Sequence, residues 1–258
     1  MKSLIASALV ALMAMSQAHA SPKDEKPTIV LVHGAFADGS SWDQVTQNLK
    51  QRGYDVVAIA NPLRSVKGDA EYLGRVVDAI DRPVVLVGHS YGGLVISEME
   101  TRRRDVRGLV FVAAFAAAQG ETAVGLSNKD PGSTLGAALD KPVALQSGGN
   151  DLYIQRGRFS DQFAADVPRE KAILMAASQR PVTDTALNEP AGLASWKQLP
   201  SWFIYGDADK NIPSTVLGFM ADRANSKRTI VIEGASHVVM VSHPRVVAEL
   251  IHEAASGK

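Results

Sequence analysis

The segment Val84-Val85-Leu86-Val87-Gly88-His89-Ser90-Tyr91-Gly92-Gly93-Leu94-Val95-Ile96 restricts what this chain can become more than any other. It reads as an apolar strand, then Gly-x-Ser-x-Gly, then an apolar helix. A serine on so sharp a strand-to-helix turn takes a strained backbone, and the residues two before and two after it pass too close to carry a Cβ. Gly88 and Gly92 supply that clearance. The bend lifts the Ser90 hydroxyl above a sheet and sets it at a helix N-terminus, whose dipole favours a nearby anion. A turn that merely contained serine would need neither flank, so Ser90 is read as a nucleophile.

The rest of the chain repeats the strand-and-helix alternation. Apolar runs bounded by turn residues at Thr28 to Val32, Val56 to Ala60, Val84 to Val87, Leu109 to Ala113 and Trp202 to Tyr205 predict strands buried on both faces, and Thr229 to Ile232 predicts a further strand. Amphipathic stretches fall between them: Trp42 to Gln51, Ala70 to Ile80, Leu94 to Thr101, Ser214 to Arg223 and Arg245 to Ala255. The fold class is therefore α/β, a mostly parallel sheet with helices on both faces. From Ala116 to about Leu199 the strand signal vanishes over a length far beyond an ordinary βα loop. That insertion predicts a mostly helical cap, with helices over Asp161 to Ala165 and Arg169 to Ser178, and with Gly148-Gly149-Asn150-Asp151 and Pro181 as breaks.

With 258 residues, 46% hydrophobic and 21% charged, the chain suffices for one domain with one large core. Its formal net charge is zero, so no nucleic-acid partner is expected. The basic run Arg102-Arg103-Arg104 is placed at a helix end, solvating the negative end of the dipole. The first 20 residues carry Lys2, an apolar run from Leu4 to Met15 and then Ala18-His19-Ala20, the pattern of a secretory signal peptide. The run falls short of the roughly 20 residues of a membrane span, and no later segment is long and apolar enough. A periplasmic or secreted protein beginning at Ser21 is expected. It has no cysteine, so its stability cannot rest on disulfides.

A serine hydroxyl is a poor nucleophile near neutrality and needs a histidine to take its proton. Of six histidines, His19 leaves with the signal peptide, His89 lies inside the elbow and His252 sits mid-helix. His33 ends the first strand and is expected to bond within its own loop. His237, in Gly234-Ala235-Ser236-His237 after the last strand, is placed to hang over the elbow, whereas His243 precedes Pro244 at a helix start. His237 is the expected base. The acid should follow the preceding strand, where Gly206-Asp207-Ala208-Asp209 offers two aspartates. Asp209, at the loop apex, is preferred as acid, and Asp207 as a brace of backbone amides. Glu121, after an earlier strand, remains the rival acid. The oxyanion needs fixed donors. The Tyr91 amide is one, and the second comes from His33-Gly34-Ala35-Phe36, with Ala35 the first choice and Phe36 the second. No Walker A string, His-Glu-x-x-His, paired cysteines or dinucleotide fingerprint is present, so no metal or cofactor is expected.

On these residues, with Val30-Leu31-Val32-His33-Gly34-Ala35, Trp42, Gly88-His89-Ser90-Tyr91-Gly92-Gly93, Gly206-Asp207-Ala208-Asp209 and Ser236-His237 as carriers, the chain after residue 20 resembles the α/β-hydrolase superfamily. More narrowly, it is similar to the branch of plant-type methyl esterases and hydroxynitrile lyases. Lyases of that branch resemble one another in a lysine directly after the catalytic histidine, and Val238 stands there instead. The resemblance thus implies a serine esterase acting on small-molecule carboxylic esters through Ser90, His237 and Asp209. It also implies a cap over a buried, mostly apolar pocket, for which Phe36, Phe115, Leu152 and Met175 are candidates by position. Amide or lactone hydrolysis, perhydrolysis, or ligand binding with little turnover are the alternatives on the same fold.

Overall fold

The computed structural model describes residues 25–102 and 104–257. The expected signal peptide lies outside them. The chain runs β1 (Thr28–Val32), α1 (Asp43–Gln51), β2 (Val56–Ile59), α2 (Val66–Asp78), β3 (Val84–His89), α3 (Gly92–Glu98) and β4 (Val106–Val112). It then leaves the sheet through α4 (Ala123–Ser127), α5 (Leu135–Ala138), β5 (Val143–Ala144), β6 (Asn150–Leu152), α6 (Arg156–Phe163), α7 (Arg169–Ser178), β7 (Val182–Thr183) and α8 (Asp184–Asn188). It returns as β8 (Ser201–Gly206), α9 (Ser214–Arg223) and β9 (Arg228–Ile232), and ends in α10 (Val239–Ser242) and α11 (Pro244–Ser256).

The central sheet has the order β2-β1-β3-β4-β8-β9, with every pair parallel. The chain steps outward from β1 to β2 and then back across to β3, so the winding reverses between β1 and β3. Ligands of open α/β sheets bind beyond the strand ends at such a reversal. Because Val32 lies opposite Gly88 in the register, the loop after β1 emerges beside the elbow. Among the flanking helices, α1 packs on α11 and α2 on α3.

β1 and β3 are buried throughout, as their continuous apolar runs predict. β2 is not: Val56 and Val57 are half-buried and Ala58 is exposed. It is an edge strand, and the helices that cover the middle of the sheet leave its margin open. β9, at the other margin, is mostly exposed for the same reason. The cap also departs from expectation. Among its short helices it carries a second, antiparallel sheet, β5-β6-β7. Strands of two or three residues are too short to show a period of two, so the pattern hid them. Gly148 and Gly149, at φ 91° and 75°, make the turn, but Asn150 and Asp151 belong to β6. α7 spans the residues predicted, while α6 begins at Arg156, earlier than Asp161.

α3 stops at Glu98, short of the basic run. Arg104 instead binds Asp78, at the end of α2, with Nε and Nη2 each 2.7 Å from a carboxylate oxygen.

The elbow glycines answer to backbone. A Cβ on Gly92 would meet the Val32 carbonyl oxygen at 2.4 Å, and one on Gly88 the Gly92 oxygen at 2.6 Å. Gly92→Ala is therefore expected to lower stability by about 2–3 kcal/mol, read in urea melts, because the obstacle cannot rotate away. Wild-type stability in that variant would show that β1 and the elbow can part.

Candidate active site

Ser90 has φ 52°, a left-handed conformation in a residue that carries a Cβ. The surroundings enforce it: Ser90 N donates to Val112 O at 3.2 Å, and Ser90 O accepts from Gly93 N at 2.9 Å and Phe115 N at 3.2 Å. The end of β4 thus clamps the strained turn, and the bent chain places Ser90 on the wall of a cavity of about 270 Å³ that His237 also lines.

His237 is 1% exposed, and its Nδ1 lies 2.6 Å from Asp209 Oδ2. The other Asp209 oxygen accepts from Asn211 N at 2.7 Å and Ile212 N at 3.0 Å, so the carboxylate is fixed on both sides. With Nδ1–H donating to Asp209, Nε2 is the ring's acceptor. The ring is held between His89 and Phe163, with centroids 4.8 Å and 5.2 Å away. His89 Nε2–H also donates to the His237 carbonyl at 3.2 Å. Burial holds the His89 ring well below its ordinary range, so it stays neutral and adds no charge beside His237.

The rivals have other employment. Asp207 Oδ1 accepts from Gly234 N at 2.6 Å and joins the loops after β8 and β9. Those loops touch closely at Gly206, whose Cβ would lie 2.0 Å from the Ala235 oxygen. Glu121 forms an ion pair with Arg223 at 2.6 Å and accepts from Ala118 N, and the guanidinium lowers its carboxyl below the usual range. His243 stands at the N-cap position of α11 with its Nδ1 2.9 Å from Ser242 Oγ, and His252 bonds Tyr54 Oη at 2.7 Å.

Two buried amides on the cavity wall, Tyr91 N–H and Ala35 N–H, have no acceptor among the described residues. Phe36, the second choice for a donor, does not serve: its N–H donates to the Arg180 carbonyl of the cap at 3.0 Å. The loop takes this path because His33 anchors it. His33 Nδ1–H donates to Gly34 O at 3.0 Å, and Nε2 accepts from Asn61 N at 3.1 Å.

Burial, slightly opposed by the Gly34 bond, lowers His33 from 6.5 to about 4. Between those values the unfolded chain binds a proton that the folded chain refuses. Stability from this group is complete above pH 6.5 and is lost as pH falls toward about 4, by up to about 3 kcal/mol. Urea melts at pH 7 and pH 4.5 should record the loss, with a shallower slope in His33→Gln. Equal slopes in the two proteins would assign the acid sensitivity elsewhere.

Phe36, Phe115 and Leu152 line the cavity. Met175 does not. It borders a separate cleft with Lys171 and Gln179, on the far side of Phe36, which lines both. Sequence reasoning missed Phe163, which walls both His237 and the cavity, and Asp69. Asp69 reads as an ordinary first-turn helix acid, yet it is buried, and it accepts from Tyr91 Oη at 3.0 Å and from Arg64 N. Tyr91→Phe should cost about 1–3 kcal/mol in thermal or urea unfolding, since it strips a buried carboxylate of a donor. An unchanged midpoint would mean that the bond carries no net stability.

The parallel sheet, the elbow on β3 and the loops converging on it define an α/β hydrolase. Residues 29–250 match the alpha/beta hydrolase family, and the chain belongs to it. It is 29% identical over 242 residues to a pyrethroid hydrolase from Sphingobium wenxiniae, covering 86% of this chain and 85% of that one. It is 22% identical over 251 residues to an alpha-hydroxynitrile lyase from Arabidopsis thaliana, covering 86% of this chain and 94% of the other. Its fold is similar to that of polyneuridine aldehyde esterase, with a TM-score of 0.77 at 20% identity over 89% of this chain and 99% of that chain. The narrower resemblance, to the plant-type esterase and lyase branch, holds with these matches.

Proposed function

We propose that this protein hydrolyses small, uncharged carboxylic esters through an acyl-enzyme on Ser90, with His237 as base and Asp209 as the acid that orients it. The supporting observation is that His237, paired with buried Asp209, lines the same cavity as Ser90 and two unbonded amides. Ser90 Oγ attacks the ester carbon while its proton passes to His237 Nε2, and the carbonyl oxygen becomes an oxyanion facing Tyr91 N–H and Ala35 N–H. The tetrahedral intermediate collapses as His237 returns the proton to the departing alkoxide. Water then attacks the acyl-enzyme with its proton taken by His237, and the acid leaves as Ser90 recovers its hydrogen. Asp209 stays ionised throughout and favours the imidazolium.

Phe36, Phe115, Leu152 and Phe163 make the wall mostly apolar, and among the described residues no lysine or arginine lines it, which disfavours substrates bearing a carboxylate. The esterase and hydrolase relatives favour ester cleavage. Val238 is fully buried and does not line the cavity, so no cation follows the base to receive a departing cyanide. The leader-like pattern of the first 20 residues supports a reaction outside the cytoplasm.

Protein beginning at Ser21 should be labelled by a fluorophosphonate at Ser90 and should turn over p-nitrophenyl esters faster than about 1 s⁻¹. Binding of esters without labelling or turnover would make it a ligand-binding member of the fold. Faster cleavage of matched amides or lactones would reassign the leaving group.

A further inference from the structure

Asn211 lines the cavity, is 3% exposed, and stands two residues beyond the acid Asp209. Its backbone serves the acid, with N–H donating to Asp209 Oδ1 at 2.7 Å. Its side chain is only half used. Oδ1 accepts from Gln162 Nε2 at 2.8 Å, whereas Nδ2 is buried with no acceptor among the described residues.

The amide cannot simply be turned over. Gln162 Nε2 spends its two hydrogens on Lys210 O, at 2.9 Å, and on Asn211 Oδ1, while Gln162 Oε1 accepts from Thr134 Oγ1 at 2.8 Å. Exchanging Oδ1 and Nδ2 of Asn211 would set one N–H group against another. The chain Thr134, Gln162, Asn211 therefore commits Nδ2 to be a donor, and a buried donor without an acceptor is costly wherever it persists. Most of the cavity wall is apolar, and no lysine or arginine lines it among the described residues.

We propose that Asn211 Nδ2 is a substrate-binding donor, and that the esters suited to this cavity carry a second, uncharged acceptor oxygen, a carbonyl or an ether, apart from the reacting ester group. This rests on the ester-hydrolase reading and narrows it. A neutral acceptor relieves the orphaned N–H. A carboxylate would also accept, but it would lose its hydration with no cation to replace it.

The test is a series of esters of matched length, with one methylene replaced by oxygen or by a carbonyl at successive positions along the acyl and the alcohol halves. Hydrocarbon and carboxylate-ended members serve as references. For the wild type, one position should raise kcat/KM by about fivefold or more over the hydrocarbon match, the scale of one neutral hydrogen bond, and the carboxylate-ended ester should fall below both. In Asn211→Leu the ratio of oxygen-bearing to hydrocarbon ester should drop toward one. Gln162→Leu, which frees the amide to turn over, should lower the same ratio. Fluorophosphonate labelling of Ser90 confirms that each variant is assembled. A flat wild-type series, or a preference that persists in both variants, overturns the proposal while leaving ester hydrolysis intact. Absence of labelling and of turnover with every ester overturns both.

Discussion

Ser90→Ala is expected to reduce ester turnover by about 10⁴-fold or more while leaving the fold and substrate binding in place. The substitution removes one oxygen from a residue whose backbone is held at both ends, by Val112 O and by the amides of Gly93 and Phe115. The elbow should therefore survive, with alanine in the same strained conformation. The amides of Tyr91 and Ala35 also remain, so a residual rate above that in water is expected from oxyanion stabilisation alone. Hydrolysis of p-nitrophenyl esters, fluorophosphonate labelling and the melting temperature together read the effect. Retention of more than about a tenth of the activity by a stable, unlabelled variant would remove Ser90 from the mechanism.

Asp209→Asn is expected to lower kcat by about 10³–10⁴-fold with little change in KM. Asn211 N and Ile212 N hold Asp209 Oδ1, so an amide at this position would keep its oxygen there and turn its NH₂ toward His237 Nδ1. The imidazole would then carry its hydrogen on Nε2 and could not receive the proton of Ser90. Glu121→Gln is the control. It weakens a partly exposed ion pair with Arg223, worth less than about 1 kcal/mol after screening, and it should leave kcat within about twofold. The opposite pattern, with Asp209→Asn active and Glu121→Gln inactive, would transfer the acid's role.

The sheet and the elbow were legible because local chemistry specifies them. Val84 to Val87 is apolar on both faces since it lies inside the sheet, and the glycines around Ser90 are demanded by backbone within a few residues of sequence or on the adjacent strand. Asp209 and His237 each lie in the loop that follows a strand, which is where the sequence reading sought an acid and a base. What escaped notice depends on partners remote in sequence. Phe36 loses its amide to Arg180, Asp69 acquires Tyr91, and Met175 borders a different cleft. No spacing rule encodes such meetings. The small cap sheet was hidden by strand length and the openness of β2 by its rank in the sheet, neither of which hydrophobicity records.

The hydrogen bond from Phe36 N–H to Arg180 O joins the lid to the very loop that presents Ala35. A displacement of the cap would have to break this tether or carry Phe36 with it, while the first half of the loop keeps its own moorings through His33 to Gly34 O and Asn61 N.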